Sequence, residues 1–274
     1  MAAAQSAQGV PRHFQVSKFL SLAQTSQFAW FGGHLVVLTC AFLYMLTFRR
    51  GTLHLHNTLY RVLYLGVIES FGIIIYQQHF KHRGQPSGAT GTNGPAPTLA
   101  QLLLRDDNSM YVAIAVMWFL TPRLTLTMIP YVVFSFFHFL TYLKSVLLPQ
   151  VFEIGPNSRL TVLIDNFIRE NNDRSMVWSS FSELVCVAVV LVRALLWYPR
   201  SWIVALVYCL FIKIRYETSP YTRSGVKRWE VRLDGLMSHS GVPAAIKNAY
   251  VHFKNNVRQL RKYNLSGTPP AKTM

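Results

Sequence analysis

Phe28–Phe48 runs for 21 residues without an Asp, Glu, Lys or Arg and then meets Arg49-Arg50. At about 1.5 Å per residue, a helix of this length covers the roughly 30 Å hydrocarbon core of a bilayer. It is the clearest transmembrane helix of the chain. Composition points the same way, since 51% hydrophobic residues with only 14% charged is too apolar for an ordinary soluble chain. The polar segment 1–26 shows no basic start followed by a cleavable apolar core, so the first span is expected to act as the insertion signal.

Further apolar runs extend the pattern into an all-α polytopic membrane protein. Val62–Tyr76 is shorter, carries Glu69 near its middle and spans only by recruiting neighbours from about Leu59 to Phe80, which closes a first membrane unit at 27–80. Gln77–Thr98 is rich in Gly, Pro and Thr and has no means of forming a core, so a linker is placed at 81–100. Two apolar units follow, each broken by a Pro-Arg pair. In 101–148, Met110–Leu120 stops at Thr121-Pro122-Arg123 and resumes at Leu124; in 179–214, Phe181–Tyr198 stops at Pro199-Arg200 and resumes at Ser201. Proline removes a backbone donor and arginine prefers a polar layer, so Pro122, Arg123, Pro199 and Arg200 are read as the turns of helical hairpins. The short arms, Met110–Leu120 and Ser201–Ile212, reach only about 16 to 18 Å, which suits wedges entering from one side. Between the units, 149–178 reads as interfacial, with Asn171-Asn172-Asp173 offering turn and cap chemistry.

Little in the chain suggests catalysis. Cys40, Cys186 and Cys209 lie inside apolar runs, which excludes a disulfide framework and an exposed nucleophile. His54, His56, His79 and His82 flank membrane segments but lack the paired histidine boxes of membrane diiron enzymes, so neither metal nor other cofactor is expected. Glu69, Glu183 and Arg193 are ionisable groups in or near apolar runs and need partners. Two readings of Arg193 stand: an ion pair with Glu69 across helices, or snorkelling to a surface.

From Lys213 to Lys262 the chain sets eleven Lys/Arg against three acidic residues. At 100° per residue Val226, Trp229, Leu233, Leu236 and Met237 share one arc, and after Gly241-Val242-Pro243 a second arc holds Ile246, Tyr250, Phe253, Val257 and Leu260. Lys247, Lys254, Arg258, Arg261 and Lys262 flank the second arc. A tail of this kind, 215–274, can lay its apolar faces in an anionic leaflet while its cations reach lipid phosphates. The alternative is an ordinary helix hairpin packed on another part of the protein. No zinc-ligand set, RNA-reading motif or helix-turn-helix supports nucleic acid as the partner of the +16 formal charge. The basic tail favours a cytoplasmic C-terminus, and Arg49, Arg50 and Arg61 pull the first loop the same way. Both ends and the linker are expected on the cytoplasmic side.

Pro130–Lys144 (PYVVFSFFHFLTYLK), with Ser135, His138, Thr141 and Tyr142 at fixed spacing, and Ile214–Arg223 (IRYETSPYTR) resemble the transmembrane protein 33 family. Its fungal members are the pore membrane proteins and tetra-spanning proteins. The resemblance extends in order and spacing from about Phe28 to Leu260. It implies a non-enzymatic protein of the endoplasmic reticulum and nuclear envelope that shapes or scaffolds curved membrane and contributes to nuclear pore organisation. It also implies reticulon-type proteins, nucleoporins and a nuclear transport receptor as partners. The residues alone leave two other classes open: a channel or transporter, and a membrane-bound lipid enzyme.

Overall fold

The computed structural model describes residues 14–48, 52–81, 103, 106–263 and 265. Among them there are helices and no strands, and the protein is an all-α polytopic membrane protein. The linker expected at 81–100 lies almost wholly outside the described residues, as do Arg49 and Arg50.

The helices begin where the sequence supplies caps. α1 (Val16–Ala23) precedes α2 (Ser26–Leu46), where the Thr25 hydroxyl accepts from the Phe28 amide; α3 (Leu53–Ile75) is capped likewise by Thr52. Asp106 caps α4 (Asp107–Leu120) by accepting from the amides of Asn108 and Ser109. Each such cap is worth about 0.5–2 kcal/mol. α5 (Met128–Tyr142) continues through a π turn, Leu143–Leu147, to Gln150. α6 (Arg159–Leu195) is a single helix of 37 residues, followed by α7 (Ser201–Thr218), α8 (Pro220–Ser238) and α9 (Ala244–Lys262).

Going round the bundle, the neighbours are α2, α3, α4, α7, α6, α5 and α2 again, a closed ring of six helices. α2 and α3 touch most closely. A Cβ on Gly66 would come within 2.8 Å of the Gly33 carbonyl oxygen, so only two glycines let these backbones meet. The ring encloses an aromatic core containing Tyr60, Tyr64, Phe71, Tyr111, Tyr131 and Tyr208. Its tyrosines find polar partners inside: the hydroxyls of Tyr60 and Tyr64 lie 3.1 and 2.7 Å from Thr127 Oγ1.

Ser26–Leu46, Leu53–Phe80, Thr125–Gln150 and Arg159–Leu195 are long and apolar enough to cross a bilayer. In each broken unit the helix of crossing length is the arm other than Met110–Leu120 or Ser201–Ile212, on which the wedge expectation rests. α4, at 14 residues, remains short, about 21 Å. In the first unit α4 lies beside α3 and α7 and α5 beside α2 and α6, and the two arms meet across the core, where Tyr131 and Phe134 reach Tyr111. Asn171-Asn172-Asp173 make no turn; they lie within α6, which runs from the expected interfacial segment straight into the apolar run.

Contacts fix the ends of the ring. Gln77 Nε2 donates to Ser26 Oγ at 3.0 Å, the Gln15 amide donates to the Val151 carbonyl, and Arg215 reaches Asp107 at 2.9 Å. The start of the described chain, both borders of the linker and the root of the tail therefore share one end. The Pro-Arg turns occupy the other.

Candidate functional site

At the turn end, the two Pro-Arg breaks meet. Thr121 and Pro122 line a small cavity together with Arg193 and Pro199, so the turns cap one end of the ring side by side. Leu124, just after the first break, starts a 3-10 turn, and Tyr44 anchors that turn through a 2.7 Å contact with Thr125 Oγ1. Arg123 lies over the Tyr44 ring at 5.7 Å. At the second break Trp197 and Arg200 both adopt left-handed backbone, at φ 56° and 63°. Arg193 lies over the Tyr198 ring at 5.2 Å and Glu69 is exposed on α3, so the expected ion pair between them is not made. The surface reading of Arg193 fits this geometry.

Glu183 finds its partners elsewhere. It is 1% exposed inside the ring, and its Oε1 accepts from the Tyr111 hydroxyl at 2.6 Å. Arg215 Nε lies 4.0 Å from Glu183 Oε2, and Arg215 also donates to Asp107 while its guanidinium stacks on the Tyr111 ring at 5.1 Å. Tyr131 donates to the Tyr111 carbonyl and Tyr208 to the Glu183 carbonyl. The result is a polar seam tying α4, α6 and α7. Sequence reasoning had named Glu183 without Tyr111, Asp107 or Arg215. The one signal for Arg215 was its place in the Ile214–Arg223 stretch.

The other recognised stretch has a structural use too. Ser135 Oγ lies 3.0 Å from Nδ1 of the fully buried His34, His138 stacks obliquely on His34 at 4.8 Å, and Tyr142 stacks on Phe31 at 4.5 Å. Thr141 only bonds back to the Phe137 carbonyl. The stretch is the α5 side of the α2–α5 interface.

The tail folds back as a hairpin. α8 crosses α6, with Trp229 stacked on Phe181 at 5.6 Å and Tyr221 donating to Asp173 at 2.9 Å. α9 is tied to α8 by side-chain tips: Glu230 receives Arg258 at 2.9 Å, Arg261 at 3.2 Å and Lys254 at 3.4 Å, and Asp234 receives Lys254 and Tyr250. Desolvation raises the Glu230 carboxyl, but hydrogen bonds from Arg258, Arg261 and Lys254 outweigh it and hold the group below its usual range. Hydrogen bonds from Lys254 and then Tyr250 depress Asp234 likewise. Three of the five tail cations are thus engaged within the protein, while Lys262 is exposed and Lys247 half-buried.

The apolar arcs divide. Trp229, Leu233, Tyr250, Phe253 and Val257 line a groove of about 410 Å³ against Leu184–Leu191 of α6. Leu236, Ile246 and Leu260 stand out at 51–62% exposure, and Met237 is half-buried. The hairpin docked on the bundle is the packed alternative of the sequence reading, and part of its apolar surface is left exposed. The docking was readable in principle, because Glu230 and Asp234 sit four apart on α8 opposite Lys254, Arg258 and Arg261. No group of three or more metal-ligating side chains occurs among the described residues.

Comparison with known proteins agrees over nearly the whole length. A pore membrane protein of 33 kDa from Saccharomyces cerevisiae is 41% identical over 258 residues, covering 93% of this chain and 90% of its own. Nucleoporin POM33 of Chaetomium thermophilum is 26% identical, with 92% and 93% covered, and tetra-spanning protein 1 of Schizosaccharomyces pombe is 28% identical, with 88% and 86% covered. No solved structure matches the chain. With the family described as transmembrane protein 33/nucleoporin POM33 matching residues 10–262, this helical ring with its docked basic tail belongs to that family.

Proposed function

We propose that this protein is a non-enzymatic scaffold of the endoplasmic reticulum and nuclear envelope, where it supports curved membrane and the organisation of nuclear pores. The names of its relatives support the location: a pore membrane protein, a nucleoporin, and, at 27% identity, a pore and endoplasmic reticulum protein of 33 kDa. The observation that carries the molecular reading is the outward edge of the tail hairpin. Leu236, Ile246 and Leu260 are large, exposed and apolar, as are Val231, Val251 and Phe253, on helices rich in cations. Such an edge enters the headgroup layer, and Lys262 and the outer faces of Arg258 and Lys247 add attraction to anionic lipid. The same edge and cations are a surface for nucleoporins, reticulon-type proteins or a nuclear transport receptor.

Leu236→Glu, Ile246→Glu and Leu260→Glu combined in the full chain test this reading. The variant should lose enrichment at the nuclear rim and spread through the reticulum, as followed by fluorescence microscopy of a tagged protein. Unaltered rim enrichment, with these three positions open to a water-borne thiol reagent as cysteines in the parent, would remove the tail from the mechanism.

A further inference from the structure

The turn end of the bundle, remote from the tail, holds a cavity of about 280 Å³ between the start of α3 and the α4–α5 break. Asn57, Tyr60, Arg61, Thr121 and Arg123 line it, and no Asp or Glu does. The space is far larger than the roughly 30 Å³ share of one water and close to the lower limit of small-ligand sites. Both arginines are held in place by the protein. Arg61 donates to the Phe119 carbonyl at 2.9 Å and lies over the Phe119 ring at 5.6 Å, and Arg123 lies over the Tyr44 ring. A planar guanidinium held this way presents its remaining donors as a fork suited to phosphate. Arg123 Nη1 and Thr121 Oγ1 have no hydrogen-bond partner among the described residues, so donor capacity is unused at this wall.

The surroundings place this cavity at headgroup level. Leu46, Leu53 and Leu120 are exposed at the ends of α2, α3 and α4, and Trp197, Tyr198 and Trp202 stand out beside the second turn, the arrangement of an interfacial aromatic belt. The described residues of 46–61, 118–127 and 190–204 contain four arginines, Arg61, Arg123, Arg193 and Arg200, and no acidic residue. A concave, acid-free site with fixed arginines at that depth is matched by one abundant ligand.

We propose that this cavity binds the phosphate of an anionic phospholipid headgroup, with Arg61 and Arg123 on the phosphate oxygens and Asn57 and Thr121 at the polar part of the headgroup. The tail is not required for this site, which lies at the far end of the bundle.

Native mass spectrometry of the full chain in detergent, titrated with short-chain phosphatidic acid or phosphatidylcholine, tests it. Phosphatidic acid should be retained over phosphatidylcholine, and R61Q/R123Q should lower its retention by about tenfold or more. N57W, made at an exposed position, should fill the cavity with the same effect, while R228Q in the tail should leave retention unchanged. Inorganic phosphate at equal concentration should not displace the lipid. Equal retention of the two lipids, displacement by inorganic phosphate, or retention by N57W at the wild-type level would each overturn the proposal; the last holds even if R61Q/R123Q does not fold.

Discussion

Replacing Glu183 by alanine probes the seam that closes the ring. The substitution leaves the buried Tyr111 hydroxyl without its 2.6 Å acceptor and takes from Arg215 the partner 4.0 Å away. An orphaned buried donor costs about 1–3 kcal/mol, and breaking a buried ion pair costs about 3–5 kcal/mol. Arg215 keeps Asp107, which is half exposed, so the second figure applies only in part. A total near 3 kcal/mol follows for E183A. E183Q retains an acceptor for Tyr111 and should lose about 1–2 kcal/mol. Cys186, one turn along α6 and fully buried, reports local opening of this seam through its rate of thiol trapping. With 1.4 kcal/mol per decade, E183A should speed trapping by about a hundredfold and E183Q by about tenfold. The readout requires Cys40 and Cys209 replaced by serine in parent and variants alike. Trapping in E183A within threefold of the parent would mean that the seam is a passive neighbour of the ring and not one of its ties.

Three other expectations concern separate parts of the chain. Gly66→Leu should separate α2 from α3, since even a Cβ there meets the Gly33 carbonyl at 2.8 Å; a drop in thermal stability in detergent is expected, whereas Gly72→Leu, with open space around it, should change little. Arg200→Gly should raise stability by about 0.5–1 kcal/mol in thermal unfolding, because glycine takes the left-handed backbone without the strain borne by arginine. The α8–α9 clasp should open in acid. The Glu230 and Asp234 carboxyls are depressed in the folded hairpin, so their stabilisation is complete above the unfolded values of about 4.3 and 3.9 and is lost as pH falls through the lower folded ones. Spin labels at Lys227 and Asn255 should stay at one distance from neutral pH to about pH 5 and separate below about pH 4, and E230Q/D234N should separate them at neutral pH. No change in that double variant would show that apolar contacts alone hold α9.

The fold class and the ends of most helices were legible because they rest on local chemistry. Hydrophobic run length gave the first span, prolines gave both breaks, and Ser219-Pro220 starts α8 where a cap and a first-turn proline belong. What was not legible depends on which helix stands beside which. Glu69 looked like a buried acid because its run is apolar, yet it lies on the outer face of α3 while Tyr60, Tyr64 and Val67 take the inner face. Arg193 looked deep for the same reason, but the turn at Trp197 returns Tyr198 to its guanidinium. Asn171-Asn172-Asp173 looked like a boundary, and propensity lost because α6 is held before it by Lys144–Asp165 and at it by Tyr221–Asp173. α1 was missed altogether inside a segment read only as polar. Phe14 and Phe19, five apart, were the available signal, and they pack on Phe152 and Phe28.

The charge conflict in the sequence also has a structural resolution. A basic first loop and a basic tail cannot both be topogenic if an odd number of crossing helices separates them, and five, α3 to α7, lie between them here, so the structure puts them at opposite ends of the ring. The arginines of the turn end have other work: Arg61 holds the Phe119 carbonyl, Arg123 covers Tyr44 and Arg193 covers Tyr198. Positive charge fixed on aromatic rings and carbonyls at an interface gains little from the cytosolic side and much from lipid phosphate, which is present on both faces of a bilayer. The tail cations differ, because Glu230 and Asp234 hold three of them in a clasp that lipid phosphates can compete for. On the two proposals made above, one end of the molecule is a fixed contact with headgroups, and the other a contact whose charge is partly masked by Glu230 and Asp234 until the hairpin loosens.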